Sequence, residues 1–83
     1  MPLFMDEHKN VEGLTSEAVI QAHREDLAIQ DQYGVKYLKY WYNEDDGSVY
    51  CLFHAPSKEA GETVHREAHG LTAHKITEVT EGA

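Results

Sequence analysis

Hydrophobic and polar positions along the chain switch between a strand-like and a helical period. Leu3-Phe4-Met5, running into Asp6-Glu7-His8, has no helical spacing and predicts a strand at the very start. Lys9 to Gly13 reads as a loop. Thr15 stands where an N-cap belongs, with Leu14 placed to staple it and Glu17 in the first turn, where an acid suits the helix dipole. A helix is predicted from about Ser16 to Tyr33, ended by Gly34 in the left-handed position. Val35 to Tyr42 is dense in aromatic and β-branched residues and predicts a strand. Asn43 to Gly47 is a turn carrying the Asp-Gly hairpin signal, and Ser48 to His54 is the returning strand. Ala55-Pro56-Ser57 breaks that strand. Ser57 then caps a second helix from about Lys58 to His69, with Gly61 a weak point inside it. Ala73 to Val79 predicts a last strand, and Thr80 to Ala83 a frayed tail.

The order β-α-β-β-α-β predicts an α+β, ferredoxin-like fold: a four-stranded antiparallel sheet with two helices on one face. All 83 residues are expected to form one domain. The face without helices needs a polar surface or a partner. Tyr37, Tyr40, Trp41 and Tyr42, with Tyr50 and Phe53 on the next strand, send aromatic rings to both faces, so a homodimer joined through its sheet faces is expected. A chain this short buries a thin core, which association would extend.

Polar residues interrupt the apolar pattern at telling places. With Ala18 set to zero, the first helix has an apolar arc of roughly 200° running from Ala18 to Ile20 and Leu27, with Asp26 near 80° and His23 near 140°, both inside it. A carboxylate there is costly unless it is hydrogen-bonded, binds a metal, or orients a histidine that does. On the second helix Ala60, Val64, Ala68 and Leu71 form the stripe, His65 sits at its edge and His69 a little further round. The spacing His65-x-x-x-His69 puts two imidazoles on one face, although by itself it fits half-buried packing just as well. Arg66 follows His65 where a zinc protease needs a glutamate, which removes that hydrolase reading. Cys51 lies mid-strand under the helices, where a small hydrophobe or a ligand thiol fits. Asp6 and His8 share a face of the first strand. His54 and His74, at strand ends, read as solvated.

Composition narrows the classes. Fifteen acidic against seven basic residues give a net charge of −8, which argues against nucleic acid and anionic membrane as partners. A lone cysteine rules out an intrachain disulfide framework, and no apolar run approaches spanning length, so a cytoplasmic location is expected. Six histidines with one thiol and one misplaced carboxylate form a borderline ligand set suited to nickel, zinc, copper or cobalt rather than magnesium or calcium.

Several motifs then carry a resemblance. They are Asp6-x-His8, Gly13-Leu14-Thr15, Ala22-His23-x-x-Asp26-Leu27 and Gln30-x-x-Tyr33-Gly34-Val35. They continue with Val49-Tyr50-Cys51-Leu52, Ala55-Pro56 and the run Val64-His65-Arg66-Glu67-Ala68-His69-Gly70-Leu71. With these the chain resembles a family of small bacterial ferredoxin-like proteins described as nickel-binding and long grouped as a domain of unknown function. The resemblance implies a homodimer with transition-metal sites at or near its interface, and His8, His23, Asp26, Cys51, His65 and His69 fall on matching positions. The chain departs from the pattern at His54 and His74-Lys75, where the family often carries acids. The expected function is non-catalytic nickel binding for buffering, storage or delivery. The rival expectation, an analogy at fold level, is a cofactor-free enzyme of monooxygenase or isomerase type, with a histidine paired to Asp26 as general base in an aromatic pocket.

Overall fold

A computed structural model describes residues 1–82, so the tail expected to end at Ala83 runs just beyond the described residues. The elements are β1 (Leu3–His8), α1 (Ser16–Ile29), a single 3-10 turn (Gln30–Tyr33), β2 (Lys36–Asn43), β3 (Ser48–His54), α2 (Lys58–Ala68) and β4 (Lys75–Glu78). The strands pair antiparallel in the order β2-β3-β1-β4, the expected ferredoxin-like α+β arrangement with β3 and β1 central.

Local chemistry sets the helix ends as the sequence predicts. The Thr15 hydroxyl accepts from the Ala18 amide at 3.1 Å, and Ser57 accepts from Ala60 at 3.3 Å. Gly34 takes φ 66° and closes the first helical segment. The last turn of that segment tightens to 3-10 geometry rather than continuing as α-helix. The Val35 amide reaches back to the Gln30 carbonyl at 3.1 Å, and the Tyr37 amide donates to the Gln30 side chain at 2.9 Å. Both bonds draw the turn onto the start of β2.

The bulge between Tyr37 and Lys39 corrects the simple alternation expected of β2. Strict alternation would place Tyr37, Lys39 and Trp41 on one face. The extra residue, Leu38, switches the parity. Tyr37, Tyr40 and Tyr42 now pair with Phe53, Cys51 and Val49, while Lys39 and Trp41 pair with Leu52 and Tyr50. Lys39 thereby stays out of the core.

The core lies between the helices and the inner sheet face, where Phe4, Val19, Val35, Tyr37, Phe53 and Val64 are all buried. Gly61 is needed for this approach: a Cβ there would lie 2.3 Å from the Phe53 ring. Its carbonyl also accepts from the buried Tyr37 hydroxyl at 2.8 Å. Two sequence expectations are corrected at this layer. The apolar arc of α1 is narrower than predicted, because Ile20 and Leu27 are each 41% exposed. His65 is no edge residue: α2 sits so close over Gly61 that Gly61, Val64 and His65 become its buried face.

Candidate metal centre

The inner sheet face carries a buried polar chain under the two helices. Register places Asp6 of β1 opposite Cys51 of β3 and Ile76 of β4, in mid-sheet, with no solvent exposure. One Asp6 oxygen, Oδ1, accepts from the Cys51 amide at 3.1 Å and lies 3.2 Å from His8 Nε2. The other, Oδ2, lies 2.8 Å from His65 Nε2. On its far side, His65 Nδ1 lies 2.9 Å from Asp26 Oδ1, which His69 Nε2 also approaches at 3.1 Å. His69 Nδ1 accepts from the Leu71 amide at 3.1 Å. The result is a continuous line, His8–Asp6–His65–Asp26–His69, running from the end of β1 to the end of α2. Every buried side-chain polar atom among the described residues finds a partner.

The electrostatics follow from those contacts. Burial alone would raise the Asp6 pKa, but hydrogen bonds from His65 and then His8 outweigh it and hold the group at about 2. Asp26 is likewise lowered: burial opposes ionisation, and hydrogen bonds from His65 and His69 overcome it. Burial would strip the proton from His65, yet its bonds to Asp26 and Asp6 raise it to about 12. With both ring nitrogens against carboxylates, His65 is an imidazolium that donates twice. It therefore has no lone pair to act as a general base beside Asp26. Burial pushes the Cys51 thiol up to about 11, against a hydrogen bond with His65.

Two overlapping groups have ligand atoms within 4.8 Å of one another: Asp6, His8, Cys51 and His65, and separately Asp26, His65 and His69. The first is fully buried and brings together two imidazoles, a thiol and a carboxylate. His8, Cys51 and His65 thus meet, whereas His69 and Cys51 stand in different groups, joined only through His65. His23 stands apart from both. It is half-buried against Tyr40, with ring centroids 4.8 Å apart, and burial lowers its pKa although Asp26 opposes this. Sequence reasoning left Asp6 off the candidate ligands. The available signal was its shared face with His8, which puts it under the helices once β1 is known to be central.

Comparison with known proteins gives one family and one close structure. A family model described as "Nickel responsive protein SCO4226-like" matches residues 4–79. The fold is similar to the crystal structure of SCO4226 from Streptomyces coelicolor A3(2), with a TM-score of 0.90, 40% identity, and coverage of 98% of this chain and 99% of that one. No curated relative matches.

Proposed function

The chain belongs to the SCO4226-like family of nickel-responsive proteins, and from that premise we propose that it binds nickel through Asp6, His8, Cys51 and His65. The carrying observation is that four chemically suitable donors converge in one buried group with a carboxylate fixed behind one of them. Imidazole, thiolate and carboxylate together suit a borderline divalent cation, so zinc, copper and cobalt compete for the same donors. A bound cation would supply the positive charge that the His65 proton now provides between the two carboxylates.

Each residue then has a distinct task. Asp26 keeps the Nδ1 proton of His65, which leaves Nε2 to face Asp6, His8 and Cys51 as a donor atom. His65 gives up its Nε2 proton and Cys51 its thiol proton on loading, so affinity rises with pH. The second group shares His65 and is the poorer site: the Leu71 amide occupies His69 Nδ1, which leaves the proton on Nε2. One ion per chain is therefore expected. His69 supports Asp26, and His23 belongs to the wall above.

The protein acts as a homodimer in the cytoplasm, for buffering, storage or delivery and without catalysis. The outer sheet face supports the dimer reading, since Met5, Trp41, Tyr50 and Leu52 lie on it and Trp41 is 48% exposed.

Nickel titration by calorimetry, with ultraviolet absorption to follow thiolate ligation, tests the assignment. His8→Ala and Cys51→Ser should each weaken binding at least tenfold, and Asp26→Asn should weaken it about 10–100-fold. The absorption band should vanish in Cys51→Ser. If the His65→Ala/His69→Ala double variant binds nickel as tightly as the wild type, the assignment is wrong.

A further inference from the structure

A cavity of about 120 Å³ opens above the polar chain, between α1, the inner sheet face and the loop before α1. His8, Asp26, Cys51, His65 and His69 edge its floor, but its walls are mostly apolar: Val11, Leu14, Val19, Ala22, Val49 and Leu71. A single metal ion does not account for this space. One water takes about 30 Å³ of liquid volume, and a bare ion takes less. Its mostly apolar walls offer an ordered water few of the two to four polar partners it needs.

Three features describe the occupant. The volume is close to that of an apolar cavity of about 150 Å³ that stays dry and takes up benzene. The lining includes two acidic residues, Glu12 and Asp26, and no lysine or arginine, so it disfavours an anion. At the wall, the His23 ring and the Tyr40 ring stand 4.8 Å apart, and neither forms a side-chain hydrogen bond among the described residues. They offer an aromatic edge together with spare polar atoms.

We infer that this cavity is a binding site for a neutral, single-ring aromatic molecule bearing one small hydrogen-bonding group. Three of the four proposed nickel ligands edge its floor, but the apolar walls and the aromatic pair that define the occupant lie outside them.

The test uses phenol and the whole chain without added metal, followed by amide and methyl chemical shifts. Saturable shifts centred on Leu14, Ala22 and Val49 are expected, with an affinity in the millimolar range for so small a ligand. Benzoate, the same ring with a negative charge, should bind at least about tenfold more weakly. Ala22→Phe should fill the cavity and abolish the shifts. If that variant does not fold, Ala18→Phe, on an exposed residue at the same wall, makes the same test from outside. Absence of saturable shifts, shifts centred on Trp41 and Tyr50 of the outer face, or undiminished phenol binding by a folded filled variant would each overturn the inference. Repeating the titration with nickel present separates the two sites: loss of nickel binding with phenol binding intact removes the metal reading alone.

Discussion

The two faces of the sheet invert the usual distribution of polar and apolar residues. The inner face, beneath the helices, holds Asp6, His8 and Cys51 from neighbouring strands, all buried, and takes His65 and Asp26 from the helices above. The outer face leaves Trp41 partly in water. The inner charges survive dehydration because each carboxylate accepts from imidazoles, and the central imidazole donates to two carboxylates. On the outer face the Tyr50 hydroxyl accepts from Lys9, whereas Trp41 stays 48% exposed. A buried charge is stable only as part of a complete set, whereas an exposed ring is tolerated singly.

The strongest way to break this contrast is to damage the set. Asp6→Asn leaves His65 and His8 facing a neutral amide and should cost about 3–5 kcal/mol in urea unfolding, the penalty for an uncompensated buried charge. A loss within the range of an ordinary surface substitution would mean that the inner network is not charged as described.

A smaller effect comes from pH. Asp6 ionises at about 2 when folded, against 3.8 ordinarily, so its contribution is full above pH 3.8 and is lost as pH falls towards 2. His65 keeps its proton up to about 12, against 6.5 ordinarily, so its contribution is full below pH 6.5 and declines as pH rises from there. The metal-free chain should be most stable between about pH 4 and pH 6.5, with a urea midpoint that falls steadily towards about pH 9. Replacing His65 by Gln should flatten that alkaline slope.

The smallest effect is expected outside. Trp41→Ala should change the stability of the dilute single chain by no more than about 0.5 kcal/mol. It should nevertheless weaken self-association in sedimentation experiments run over a range of concentrations. If it destabilises the chain as much as Asp6→Asn does, the outer face is part of the fold and not a surface for a partner.

The fold was legible because its signals are local. Thr15 and Ser57 cap as read, Gly34 turns left-handed as read, and the Asp-Gly turn joins β2 to β3. The metal candidates were legible only in part. Asp26 stood out as a carboxylate inside an apolar arc, and it is indeed buried. Asp6 shares a strand face with His8 in the sequence pattern, but only the placing of β1 between β3 and β4 brings it to Cys51 and His65. His65 was placed at a stripe's edge because periodicity assumes a generic helix–sheet distance. Gly61 against Phe53 makes this one shorter.

The sequence by itself determined the element order, the helix ends and the residue types available for chemistry, because caps, turns and periodicity depend on neighbours a few positions away. Tertiary structure alone decided which of those residues meet. Strand register joined Asp6 to Cys51 across 45 positions, and close helix packing set His65 between two carboxylates contributed by β1 and α1. The β2 bulge decided which aromatics face inward. These are relations of distance between segments far apart in the chain, and local residue preferences do not encode them.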